Sequence, residues 1–469
     1  MSKYDIESTT IWADVKDIIN SGLKPVVYEY QGIVHTEMED IPVLKIKAVD
    51  TVRDYANNVG DHLQVEFIMS LGDYVSRLFP YRTNLEFTIK KILASTTDTS
   101  VKANTIISTD RYKGVFLVNE NPKVTGTELE MIDTESLNKL DIPTVKLQLL
   151  DRSLEPLRIK TVDGIFRQVT ARKVIHNLLG GESMKVKVDG KPSIDGIDIV
   201  DPDNTDARQH VTIPTGTLIT NLPTYMQEHM GGVYSTGIGT YLQKFNNLKL
   251  WFVFPLFNTK RFDTSSDNKV IIYAVPQEKL QGIDRTYKED GSTLRIVATA
   301  NKKYEDSADI DYMNKGSGFR MADARAYLTK PVTITANGPV GDRGRLNFEV
   351  AAEARKDGLN YAPRVQGISS NPFKQFTAVT SRNVATVSFV WENSNADLLY
   401  PGMPCKYVYV DEGKTMELRG TVVHVHSLTA LQGGGVNGKL YKSLASVTML
   451  CEQKSKYRTM PTTEVTGNL

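Results

Sequence analysis

Gly60-Asp-His-Leu-Gln-Val-Glu-Phe-Ile-Met-Ser-Leu-Gly-Asp-Tyr-Val-Ser-Arg-Leu-Phe-Pro-Tyr-Arg-Thr-Asn-Leu-Glu-Phe-Thr-Ile89 carries two strand patterns in thirty residues. Leu63, Val65, Phe67 and Met69 alternate on one side of the first, and Leu85, Phe87 and Ile89 on one side of the second. A period of two places such residues on one face of a pleated strand. The opposite faces carry Gln64, Glu66 and Ile68, then Glu86, Thr88 and Lys90. One apolar and one polar side per strand is the signature of an antiparallel sheet wetted on one face. Gly72 and Pro80 between them read as turns. The segment is expected to open a small β-barrel or sandwich.

The last quarter follows the same grammar. Val387, Phe389 and Trp391 alternate with Ser388, Val390 and Glu392, and Tyr400-Pro-Gly-Met-Pro then breaks the chain. Lys406-Tyr-Val-Tyr-Val resumes it, and Asp411-Glu-Gly-Lys reads as a hairpin turn into Thr415 to His426. After a glycine-rich loop at Gly433, Ala445 to Cys451 supplies another strand. A second small barrel is expected here.

Between these regions the texture is mixed. Ala171, Val174, Ile175, Leu178 and Leu179 fall at helical spacing, with Gly180 placed as a C-terminal cap. A short helix is expected near Asn221 to Met230, and Leu248 to Phe257 is an intensely apolar strand, assigned to core. Ile11, Trp12, Val15, Ile18 and Ile19 mark an N-terminal helix, with Gly22 past its end. The expected fold is mainly β with an α+β middle domain and two small tube-like β-barrels in one chain. Its divisions are an arm with a helix (1–40), a first barrel (41–160), a middle domain (161–329), a second barrel (330–453) and a polar tail (454–469).

Composition narrows the function. The 469 residues suggest roughly three domains at about 150 residues each. With 56 Lys plus Arg against 55 Asp plus Glu, there is no global field to hold a polyanion or an anionic membrane. Cys405 and Cys451 form no CxxC pair and are too few for a disulfide framework, so a reduced, cytosolic site of synthesis is expected. The start, Met1-Ser-Lys-Tyr-Asp-Ile-Glu, lacks the apolar stretch of a signal peptide, and no run is long enough to span a membrane.

Chemical motifs are sparse. Of seven histidines, only His424 and His426 have a spacing that matters, since i and i+2 share a strand face, but no third ligand is signalled. The acidic run from Asp195 to Asp206 lacks the central Gly and terminal Glu of a calcium-binding EF-hand and reads as a solvated turn region. Gly231 to Gly239 lacks the spacing and the Lys of a phosphate-binding loop, and the two arginines of Gly338 to Leu346 are too few for a nucleic-acid footprint. No pair of carboxylates is nominated for acid–base work. No catalytic residue, metal ligand or cofactor site is therefore expected. What remains is assembly, carried out by edges, loops and flat faces.

The stretch from Gly60 to Ile89 resembles the first-barrel segment of baseplate central hub proteins of tailed bacteriophages, relatives of the VgrG component of type VI secretion. Trp391-Glu-Asn-Ser-Asn-Ala-Asp-Leu-Leu-Tyr-Pro-Gly-Met-Pro-Cys-Lys-Tyr, with the strand through Gly420-Thr-Val-Val-His-Val-His, resembles the second. The direct likeness covers about a fifth of the chain. It implies a virion structural protein of the tail baseplate, in which a homotrimer forms a pseudo-sixfold ring. Such a ring joins the tail tube protein to the central spike protein, contacts other baseplate proteins and lets viral DNA pass through its channel. Gln64, Glu66, Glu86, Thr88 and Lys90 are then candidate lumen-facing residues, although alternation alone fits outer solvent equally well. The rival expectations are a virion-associated hydrolase of cell-wall glycan and a receptor- or carbohydrate-binding tail module.

Overall fold

The computed structural model describes residues 11–20, 27–95, 105–117, 144–230, 232–234, 236–264, 268–305, 333–340, 345–351, 384–411, 414–433 and 438–452. The tail at 454–469, the tip of the Gly433 loop, Gly22 and the centre of the Gly338 loop lie outside them. Helix α1 (Ile11–Ile19) buries Ile11, Val15 and Ile18, as its spacing predicts.

The first barrel is a closed ring built from β1 (Val27–His35), β2 (Asp40–Pro42), β3 (Lys45–Asp54), β4 (His62–Ile68), β5 (Leu85–Ser95), β6 (Thr105–Phe116) and β7 (Thr144–Asp151). The order is β3-β4-β7-β6-β5-β1, every pair antiparallel. β2 and β3 are one strand bent at Val43 and Leu44. The first half pairs with β1 and the second with β4, which closes the ring at six strand positions. Leu63, Val65, Phe67, Met69, Leu85, Phe87 and Ile89 all fill the interior, as the alternation predicts. Two expectations are corrected. β1 belongs to this ring rather than to an N-terminal arm; its period of two is interrupted at Gly32, which hides it from a pattern search. Residues 71–81 are continuously helical rather than two turns, running from α2 (Leu71–Asp73) through a π turn (Tyr74–Leu78) to a 3₁₀ turn (Phe79–Tyr81). Ser70 caps the start by accepting the Asp73 N–H at 3.1 Å, and Pro80 sits in the first turn of the final segment, where its missing N–H costs nothing.

The middle region begins with α3 (Leu154–Ile159), and β8 (Thr161–Val169) pairs with β12 (Arg208–Leu218). α4 (Ala171–Ile175) continues through a π turn (His176–Gly181) into α5 (Glu182–Lys185). Gly180 therefore lies inside a helical run and is not a cap. Its role is close approach, since a Cβ there would stand 2.9 Å from Ile197 Cγ2. The hairpin of β9 (Lys187–Val188) and β10 (Lys191–Pro192) follows. β11 (Gly196–Ile199), β13 (Ile238–Phe245) and β14 (Leu248–Pro255) form a sheet with β14 central. Helix α6 (Leu222–His229) lies where expected. Trp251, Phe252, Val253 and Phe254 are all buried because β14 is covered on both faces, which explains its unbroken apolar run.

After the short α7 (Arg261–Thr264), the second ring draws on β15 (Lys269–Val275) and on β17 (Thr293–Glu305), with β16 (Tyr287–Asp290) paired to β17 outside the ring path. The hairpin β18 (Thr333–Val340) and β19 (Arg345–Ala351) pairs only with itself among the described residues. β20 (Val384–Glu392), β21 (Pro404–Asp411), β22 (Lys414–Leu431) and β23 (Tyr441–Glu452) complete the set. The order β22-β21-β15-β17-β20-β23 returns to β22 and closes six strands. The barrel was expected to start at 330, yet two of its strands come from the stretch assigned to the middle domain. β15 runs parallel to both its neighbours, and β17 reaches its place by a crossover through β16, a connection that alternation does not reveal. Phe389, Trp391, Tyr407, Val447 and Met449 fill the interior. Helix α1 packs on the outside of this ring, against Tyr273, Val275, Leu280, Val297 and Val408.

Candidate functional site

The two rings share a sheet. β22 is 18 residues long; its first half pairs with β21, and its second half leaves that neighbour and pairs with β3 of the first ring. β23 holds the other edge of that second half. The outward residues consequently line up in rows that cross from one ring to the other. Gln148, Gln64, Asp50, Leu428, Leu444 and Glu392 form one such row. His62, Val52, His426 and Ser446 form the next.

This face is wet and internally paired. Glu66 accepts from Lys47 at 2.6 Å and lies 3.3 Å from Lys146. Burial opposes the Glu66 charge, but these two ammonium groups outweigh it and hold the carboxyl below its usual range. His426 Nε2 is 2.8 Å from Asp50 Oδ1 across the seam. Partial burial lowers the His424 pKa, Asp54 opposes the shift and His426 adds to it. The His424/His426 pair thus meets carboxylates of β3, and no cluster of three or more His, Cys, Asp or Glu suited to a metal occurs among the described residues. Lys47, Lys146 and Lys442 stand against Glu66, Asp50, Asp54 and Glu392, a nearly balanced surface.

The five candidate residues separate into two groups. Gln64 and Glu66 lie on β4 within the shared face. Glu86, Thr88 and Lys90 lie on β5, three steps away along β4-β7-β6-β5. Three steps in a ring of six is half a turn, so the groups face opposite directions. Glu86 pairs with Arg111 at 2.5 Å and Arg152 at 2.9 Å, and Thr88 is buried against His35 Nε2 at 2.7 Å. The acidic run of the middle region has local roles. Asp195 accepts the Lys249 N–H, Asp201 pairs with Arg172, and Asn204 donates to the Gly232 carbonyl.

A charged joint that alternation could not reveal lies beside the seam. β3 ends, β4 begins and β5 ends at the same end of the first ring, which brings Arg53, Asp61 and Lys91 together there. Asp397, on the short turn Ala396–Leu398 between β20 and β21, enters this mouth. Arg53 donates from Nη2 to Asp397 at 3.1 Å, from Nη1 to the Ala396 carbonyl at 3.0 Å and from Nε to Asp61 at 3.2 Å. Lys91 donates to the other Asp397 oxygen at 2.9 Å and lies over the Tyr28 ring. Tyr241 of β13 donates to Asp61 at 3.0 Å, so all three parts of the chain meet here. Both cations are buried, while the Asp397 side chain is 58% exposed at the rim. Lys91 is the main cause, with Arg53 assisting against burial, of an Asp397 pKa well below the usual carboxylate range.

No protein-family model matches this sequence, and no curated protein matches it. Among solved structures, the chain is similar to the E. coli c3393 protein, a type VI secretion component described as structurally similar to the T4 bacteriophage tail proteins gp27 and gp5. That pair has a TM-score of 0.39 at 8% identity, over 90% of this chain and 77% of the other. The 43 kDa tail protein of prophage MuSo2 from Shewanella oneidensis gives a TM-score of 0.41 at 9% identity, over 90% of this chain and 96% of the other. A chain of the lidded Francisella PdpA–VgrG complex gives 0.32 at 9% identity, and the match spans 93% of this chain but only 55% of that one.

Proposed function

We infer that the chain is a non-catalytic hub of a phage-type tail baseplate, three copies of which place six barrel rings around one axis. Such a collar would match a sixfold tail tube on one side and a threefold spike on the other, with the genome passing through its centre. The observation that carries this reading is the lateral fusion of two closed six-strand rings through β3 and β22. Two equivalent rings per chain are what a pseudo-sixfold ring of three chains requires.

The shared face is the surface assigned to the lumen, because it alone among the faces described above runs unbroken across both rings. Gln64 and Glu66 would then line the channel, and Glu86, Thr88 and Lys90 would face away from it. A near-neutral wall suits this task, since a cationic one would hold phosphates through counterion release. An obligate trimer of this kind needs interfaces on the order of 2,000 Å² or more. The test is the mass of the purified chain in solution at micromolar concentration, followed by negative-stain images. Trimers with threefold symmetry and an open centre are expected; a monomer, or a closed particle, overturns the proposal.

A further inference from the structure

Inside the second ring, Cys405 on β21 and Cys451 on β23 both stand opposite Gly420 of the intervening β22. Directly opposed residues share a face, so all three point inward, and both thiols are free and fully buried. No side chain separates them at Gly420. Tyr407, two residues along β21 from Cys405 and therefore on the same face, has a buried hydroxyl without a hydrogen-bond partner.

Two chemistries are open to such a pair, and geometry separates them. Neighbouring strands lie about 4.8 Å apart, so across a closed ring of six strands Cα atoms two strands apart stand roughly 8 Å from each other. A disulfide needs them within about 7 Å. A metal bridge needs only the sulfurs to be close: two bonds of about 2.3 Å span roughly 4.6 Å in a linear arrangement.

We propose that Cys405 and Cys451 form a site for a thiophilic, two-coordinate monovalent cation of the Cu(I) class, with Tyr407 as a hydrogen-bond donor to the metal-bound sulfur. One thiol loses its proton to solvent and forms a metal–thiolate bond. The second donates a sulfur lone pair and keeps its proton. No electron is transferred, and the adduct is neutral, which avoids placing net charge in an apolar interior. Because the ring interior is closed, uptake follows transient opening of the barrel.

Silver(I) is the probe, added without oxygen or chloride to the full-length chain, with native mass spectrometry and proton release as readouts. One silver ion per chain and one proton per ion are expected. Cys405→Ala and Cys451→Ala should each weaken uptake by roughly tenfold or more. No uptake, or unchanged uptake when both cysteines are replaced, overturns the proposal. So does the loss of two hydrogens as a disulfide on treatment with a thiol oxidant. If the variants do not fold, X-ray absorption of silver in the parent protein decides: two sulfur neighbours support the site, and oxygen or nitrogen neighbours overturn it.

Discussion

Replacing Gly420 by alanine tests how the second ring closes. A Cβ at this position would stand 2.0 Å from the Leu450 carbonyl oxygen and 2.8 Å from Cys451 Cα, both main-chain atoms of β23. A carbon–oxygen contact relaxes at about 3.3 Å, so the two strands must part by more than about 1 Å. Neither obstructing atom belongs to a side chain that could rotate away. Overpacking of this kind costs about 1–3 kcal/mol, and each ladder hydrogen bond lost with its groups left buried adds about 1–3 kcal/mol. The expected loss is therefore about 3–5 kcal/mol, read as an earlier denaturant transition and faster amide exchange in β22 and β23. Gly181→Ala is the control, because its Cβ would meet nothing within 4 Å. Within its helical run it should gain about 0.5–1 kcal/mol. If Gly420→Ala costs under about 1 kcal/mol, β22 and β23 do not close the ring as described.

At the joint, Asp397→Asn leaves Arg53 and Lys91 without their shared charge. Because the carboxylate is partly exposed, a loss of about 2–3 kcal/mol is expected rather than the full cost of a buried pair, and a cycle with Lys91→Met should show coupling of at least about 0.5 kcal/mol. The folded Asp397 pKa lies below its unfolded value, so this contribution is complete above about pH 4 and is lost as the pH falls through the folded pKa. Unfolding followed from pH 6 to pH 2 should therefore lose less stability in Asp397→Asn than in the parent. Ile18→Ala removes a fully buried side chain of α1 and should cost about 2–4 kcal/mol, with amide exchange accelerated in β15 and β17 but not in β4 and β5.

Much of the first ring was legible because β4 and β5 alternate strictly, with Phe67 and Phe87 inside and Glu66 and Glu86 outside. β1 was hidden by Gly32 and by polar residues such as Glu29, which pairs with Lys45 across the barrel wall. The second ring was misplaced because its order depends on parallel partners brought from residues 269–305. The candidate face was half legible. Alternation separates wet from dry sides, but only closure into a ring decides which wet sides point the same way, and this divides Gln64 and Glu66 from Glu86, Thr88 and Lys90. The Arg53–Asp397–Lys91 joint left no local signal, since Asp397 is more than 300 residues from either cation and their meeting depends on strand ends.

The seam between β3 and β22 also sets a schedule for biosynthesis. Asp50 and His426, which meet across it, are 376 residues apart in the chain. At 5–20 residues per second, a nascent β3 waits roughly 20–75 s before its partner leaves the ribosome. Through that interval its outer margin is a bare row of amide and carbonyl groups, an invitation to stray pairing. Lys47, Asp50, Arg53 and Asp54 fall on this strand, and their charges discourage adventitious neighbours until the proper one is made.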